Sequence, residues 1–417
     1  MRGKVSRPLA VNESWLARVA DARPFDRLRV TGKLTQLKKL NSFPCHPEPI
    51  EGPCVSHSRQ PTRRTALYHI GGPIIHYSLY IPFFLLSCQP ETRPVTPPTP
   101  AFYHWKSTFS PTPSDSAVLY ETGTQTLYMR FFDVDWDEAT HQPVPKAAVT
   151  FRAKPAVVNV VPVVFITNKT LLQLTPTAVP VLAQKLVQKV QQLAAKEAIS
   201  YREIQIDCDW TRSSRSRYFA LLQAIKQQAG VPLSATIRLH QVKFVAQTGV
   251  PPVARGMLMA YNLTDWKWPD TRNSILDLAE LRRYTPYLPG YPLSLDIALP
   301  LFRWTVVFRN NRVMTLLNNV DRNRLLTQTA LTPQTDSTRF VVARDTIALG
   351  LALHRGDLLR TEACSMAKLM AAKAQLLAQL PDQKRTFTLY HLDSTVLHAY
   401  PVTTLKSLFS STPDNTP

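Results

Sequence analysis

The stretch Glu203-Ile204-Gln205-Ile206-Asp207-Cys208-Asp209-Trp210 alternates polar and apolar residues with the two-residue period of a β-strand. On such a strand Ile204, Ile206 and Cys208 share one face, and Gln205, Asp207 and Asp209 share the other. Two carboxylates turned into an enclosed space can do proton chemistry, because burial raises a carboxyl pKa and a nearby cation lowers it. A second run, Leu233–His240, puts Thr236, Arg238 and His240 on one face, opposite Ala235, Ile237 and Leu239. A third places Asp296 between Ser294 and Ala298. Three acids and two bases converging on one space exceed what packing demands. The plainer alternative is that Asp207 and Arg238 form only a structural ion pair, with Asp209 left in solvent.

Softer signals stand at the ends of other runs. Asp133 and Asp135 close one of them, with an ambiguous face, because strict alternation would turn Arg130 toward the opposite side. Asn168, Tyr261, Asn262, His391 and Asp393 sit at similar ends, where a lone His or Asn commonly bonds a loop. Trp105, Trp136, Trp210, Trp266, Trp268 and Trp304 follow run ends or lie in the loops beyond. Aromatic faces stack on sugar rings as on other apolar planes, so a tryptophan-rich mouth favours a glycan, while about half of these rings are expected simply to pack under loops.

The elements that must position these residues are legible. Eight β-rich runs, Ala101–Lys106, Thr126–Asp133, Val157–Thr167, Glu203–Asp209, Leu233–His240, Gly256–Asn262, Leu293–Leu299 and Thr386–Leu392, alternate with helical stretches. Val181–Lys196 carries Leu182, Leu186, Val190 and Leu193 at helical spacing, and Arg217–Gln228 and Thr361–Leu380 read the same way. Eight alternating strands are the number of a single (β/α)8 TIM-type barrel, with active residues at the C-terminal strand ends. After strand seven, Trp304–Arg309 and Arg312–Leu317 flank Asn310-Asn311, a hairpin signal, so residues 304–350 are expected as a β insertion. The barrel is thus assigned to 101–400 and a C-terminal tail to 401–417.

Composition excludes several classes. The 417 residues are 44% apolar, enough for a large core. The net charge of +20 is partly local to the first 88 residues and otherwise scattered, without a zinc-finger, homeodomain or RNA-recognition pattern, so no nucleic-acid partner is expected. No Gly-x-Gly-x-x-Gly, phosphate loop, Gly-x-Ser-x-Gly or His-Glu-x-x-His occurs. No cofactor is expected, and the spacing of Asp207, Asp209 and His240 matches no standard metal site. The five cysteines build no disulfide framework.

The first 73 residues read as a leader outside the fold. His46 to Gly52 and Pro24 to Val30 can be encoded by opposite arms of one inverted DNA repeat, which puts the true start of translation downstream; a basic disordered arm is the alternative. Arg63-Arg64, the apolar stretch Ile74 to Leu86 and Leu85-Leu86-Ser87-Cys88 then follow. A basic flank, a short apolar region and a small residue before the cut describe an export signal at 74–88. It resembles the bacterial lipoprotein signal, which implies a lipid on Cys88, a membrane anchor and a cell-envelope location. Residues 89–100, with five prolines, would be an extended tether.

Ile206-Asp207-Cys208-Asp209-Trp210 resembles the fourth-strand Asp-x-Asp-x-Glu motif of chitinase-like glycoside hydrolase barrels, and Met259-Ala260-Tyr261-Asn262 resembles their sixth-strand Met-x-Tyr-Asp. The mature chain also resembles barrel lipoproteins of Bacteroidetes that carry no assigned activity. The family's proton-donating Glu falls on Thr211 and its sixth-strand Asp on Asn262, so the family mechanism does not transfer intact. One expectation is therefore a lipoprotein that processes a glycan, with Asp209 as acid/base, Asp207 its electrostatic partner and Asp296 a second carboxylate across the lumen. Arg238, His240, Tyr261, Asn262, Trp210, Trp105 and Trp304 would bind substrate. The other expectation is a non-catalytic barrel that binds glycan or a partner protein.

Overall fold

A computed structural model describes residues 97–410. Cys88, the export signal, and all but the last residues of the tether lie outside the described residues. Eight parallel strands make the barrel: β1 (Thr99–His104), β2 (Thr126–Asp137), β3 (Asn159–Ile166), β4 (Ile204–Asp207), β5 (Leu233–Arg238), β6 (Arg255–Met259), β7 (Leu295–Pro300) and β8 (Thr386–Tyr390). Each pairs with its sequence neighbours, and β1 pairs with both β8 and β2, so the ring closes. All eight expected runs are strands, shifted by a residue or a few at their ends.

The alternation read from the sequence sorts the side chains as expected. Ile204, Ile206 and Cys208 join Ile237, Leu258 and Leu299 in the outer core between strands and helices. That core is covered by α1 (Pro113–Glu121), α2 (Val179–Lys196), α3 (Arg215–Ala229), α4 (Met366–Leu377) and α5 (Val402–Phe409). In α2 the buried Leu182, Leu186 and Val190 form the stripe that the 3.6-residue period requires. A separate inner core of Ala101, Tyr103, Tyr128, Val161, Val163, Met257, Met259, Tyr261 and Ala298 fills the lumen.

Two boundaries differ from the sequence reading. The insertion after β7 runs from Trp304 to Glu362, because Leu358–Glu362 is a strand that pairs with Trp304–Arg309. The helix expected from Thr361 therefore starts at Met366. That pairing joins residues fifty positions apart, which local periodicity cannot reveal. The Asn310-Asn311 hairpin is present, with both residues at positive φ as a two-residue turn demands. Residues 401–410 are not a free tail. Helix α5 buries Leu405, Leu408 and Phe409, and the Phe409 ring meets those of Phe102 and Phe387, each at 5.9 Å.

Phe409 thus ties the C-terminal helix to β1 and β8. Phe409→Ala is expected to cost about 3–5 kcal/mol, read as a lower urea midpoint. A change below about 1 kcal/mol would place α5 outside the cooperative core.

Candidate functional site

The C-terminal end of the barrel brings together most of the residues singled out from sequence. Asp207 ends β4, and Thr236 of β5 donates a hydrogen bond to it at 2.6 Å. Two residues further toward the mouth, Asp209 accepts from Arg238 Nε at 2.7 Å and from Nη2 at 3.2 Å. This two-point geometry is that of a guanidinium fork on a carboxylate. The pair faces solvent in part, with 39% of the Asp209 side chain and 25% of Arg238 exposed. The structural ion pair therefore exists, but with Asp209 rather than Asp207.

The pairing separates the two acids electrostatically. Burial, reinforced by the nearby Asp209 charge, pushes Asp207 up to about 7 against the help of Thr236 and Arg238. Burial would lift Asp209 too, yet the Arg238 guanidinium reverses this and holds it below the ordinary carboxylate range. The proton affinities of the two acids are thus pushed apart, Asp207 upward and Asp209 downward.

A second charged pair was only half visible in the sequence. In β2, Arg130 is opposite Val163 and Phe132 opposite Val164, so Phe131 is an extra residue, a β-bulge. Phe131 and Phe132 both join the outer core, and Arg130 bonds Asp133 through two guanidinium nitrogens and donates to Trp105 O. The bulge is why strict alternation turned Arg130 the wrong way. Burial raises the Asp133 pKa despite Arg130. Asp135 instead bonds Lys146 and Thr167 beside the hairpin strand Gln142–Lys146.

Around these charges runs a wall of rings. Tyr103, Trp105, Tyr390, Tyr261, Phe302 and Trp304 follow one another at centroid distances between 5.1 and 6.0 Å. Arg130 lies 5.8 Å from the Trp105 centroid and Arg238 5.8 Å from that of Tyr261. Tyr103 donates to Gln205, which also bonds Ser234, so the third polar residue of β4 is fixed below the acids. Tyr103, Phe302 and Tyr390 were not singled out from sequence. Their only signal was an aromatic residue at, or just past, a strand end.

Several expected residues stand elsewhere. Asp296, the second residue of β7, accepts from the Thr386 backbone N–H at 2.6 Å and meets Arg255 at 3.4 Å. Its charge acts on Glu203 and Tyr128, so it belongs to the barrel floor and is no second carboxylate at the mouth. Trp210 is fully buried in the outer core, stacked on Tyr218 with Nε1 donating to Thr248 O. It is a core residue and touches no ligand space. Strand β5 stops at Arg238, so His240 lies on the helical turn Leu239–Lys243, exposed beside the mouth. Asn262 sits exposed in the loop after β6 at φ +54, and Thr211 begins the turn into α3 with its backbone N–H on Ser214.

Two further strand-end residues, Asn168 and Asp393, hold neighbouring turns in place. Asn168 accepts from Ser214, and Asp393 caps a short helix while paired with Lys106. Among the described residues no group of three or more His, Cys, Asp or Glu is arranged to hold a metal ion. No described helix is long and apolar enough to cross a membrane.

No family model and no curated protein matches the chain. Among solved structures it is similar to the spore cortex-lytic enzyme SleL of Bacillus cereus, 16% identical over 75% of this chain and 74% of that one, TM-score 0.45. It is similar to a chitinase of Chromobacterium violaceum, 11% identical over 76% of this chain and 100% of that one, TM-score 0.47. A chitinase-like agglutinin of Robinia pseudoacacia is 11% identical over 74% and 99% of the two chains, TM-score 0.38.

The proton on Asp207 has a measurable consequence. Between the ordinary carboxylate range and about 7, the folded protein holds a proton that the unfolded chain has released. Stability contributed by this group therefore falls as pH rises through that window. Urea unfolding at pH 5 and pH 8 should show Asp207→Asn narrowing the stability gap by at least about 1 kcal/mol. An unchanged gap would mean that Asp207 titrates normally.

Proposed function

We propose that this barrel is a glycan-binding protein of the cell envelope, holding sugar rings on the aromatic wall of its mouth and lacking the usual proton donor of a glycosidase. The observation that carries this reading is the wall itself: Trp105, Tyr390, Tyr261, Phe302 and Trp304 enclose paired arginines and aspartates. Apolar ring faces take the C–H faces of sugars, while fixed charges at their edges orient hydroxyls. The departures from the hydrolase motifs support the loss of chemistry. Thr211 stands where the acid would be, and Asp209 is an anion clamped by Arg238, unable to deliver a proton near neutrality.

One observation favours a second reading, hydrolysis through Asp207. Its proton is retained up to about 7 beside the ionised Asp209, a division of labour that acid catalysis uses. The envelope location and membrane anchor rest on the sequence before the barrel, the export pattern ending in Cys88.

Binding measured on a glycan array should fall at least about tenfold for Trp105→Ala and Tyr390→Ala, about 1.4 kcal/mol or more. Asp209→Asn should keep most affinity. Products of cleavage that disappear with Asp207→Asn would replace the binding reading with the hydrolytic one. Metabolic labelling with a radioactive fatty acid should tag the chain, and Cys88→Ser should abolish both the label and membrane association. A soluble, unlabelled native chain would refute the anchor.

A further inference from the structure

Arg238 differs from Arg130 and Arg360, two more deeply buried guanidinium groups. Arg130 is almost fully buried, binds Asp133 on two nitrogens and spends a third on Trp105 O. Arg360, in the insertion, is committed on every nitrogen, to Glu362 and to the carbonyls of Trp266, Trp268 and Pro269. Arg238 uses Nε and Nη2 on Asp209, and its Nη1 meets no hydrogen-bond partner among the described residues. A quarter of the side chain is open, and the guanidinium carbon lies 5.8 Å from the Tyr261 ring centroid. The residue thus presents an unsatisfied N–H edge beside the aromatic wall. Asp209 and Tyr261 fix its orientation before any ligand arrives, so little further ordering is needed on binding.

The chain's charge supplies a second, independent observation. Residues 97–410 hold 35 Lys and Arg against 22 Asp and Glu. A surface with that excess raises the encounter rate of anionic chains and not of neutral ones. At the mouth, Asp133 and Asp209 are each neutralised by an arginine, and Asp207 lies deeper under Thr236. The two acids beside Arg130 and Arg238 are thus matched by a cation.

We infer that the glycan bound here is a carboxylated one, a uronate-type chain, with one sugar carboxylate received by the free Nη1 edge of Arg238 while the sugar ring lies on the half-buried Tyr390, whose ring backs onto the buried Tyr261. This rests on the glycan-binding reading and names its substrate class. A planar carboxylate suits the guanidinium edge better than a neutral hydroxyl, because the hydrogen bond is charge-assisted and shielded by the surrounding rings.

Titration calorimetry of the full chain with three probes tests it: a galacturonate oligomer, a chito-oligosaccharide and a dextran sulfate. The galacturonate oligomer is expected to bind most tightly, and the double variant Arg238→Gln/Asp209→Asn to weaken it at least about tenfold. That variant leaves a neutral hydrogen-bonding pair in place of the ion pair, and its thermal unfolding confirms that it folds. Arg238→Lys, which keeps the charge and loses the fork, should also weaken galacturonate binding. Equal or tighter binding of the neutral oligomer, equal binding of dextran sulfate, or full retention by the double variant would overturn the carboxylate site while leaving glycan binding intact. Failure of every glycan, on the array as well, would overturn the underlying reading itself.

Discussion

Closure of the ring is the constraint on which the rest depends. The register from Ala101 opposite Thr126 to His104 opposite Met129 joins β1 to β2, and it leaves the eight parallel strands without an open edge. A closed, filled lumen is a poor solvent for charge, so each polar group that points inward must find a partner there. The charged groups of the lumen are accordingly partnered: Glu203 with Ser234, Asp296 with Arg255, Asp207 with Thr236, Asp209 with Arg238, and Arg130 with Asp133. The same enclosure sets the proton affinities, since burial is the largest influence on Asp207, Glu203, Asp296 and Asp133 alike.

Strand stagger then divides these pairs into a floor and a mouth. Asp296 is in register with Met257, Met257 with Thr236, and Thr236 bonds Asp207. On a flat sheet Asp296 and Asp207 would share a level. In a tilted, staggered barrel each step around the ring also moves along the axis. Three steps bring Asp296 into the field of Glu203, four residues and about 13 Å of strand before Asp207. In barrels of this kind the N-terminal floor serves stability, and active residues stand at the C-terminal mouth.

The insertion shapes one side of the mouth through a buried ion pair. Arg360 and Glu362 are both fully buried, and they reach back to the loop after β6. Glu362 accepts from the Ser274 and Ile275 backbone N–H groups, while Arg360 and Arg339 bind carbonyls from Trp266 to Thr271. Such a pair adds little net stability but is costly to break, so it selects one loop position over others. That loop carries Trp266 and the largely exposed Trp268.

What the sequence by itself determined was everything governed by short-range period. The eight strands, the inward face of Gln205, Asp207 and Asp209, the α2 stripe and the Asn310-Asn311 turn all follow from alternation, helical spacing and turn chemistry. Only the tertiary structure decided which inward residues meet. The Phe131 bulge moved Arg130 inward, barrel stagger sent Asp296 to the floor, the end of β5 left His240 on a helical turn, and helix packing took Trp210 into the core. Each of these depends on geometry accumulated over several strands or on a partner far along the chain, and a local pattern carries no record of either.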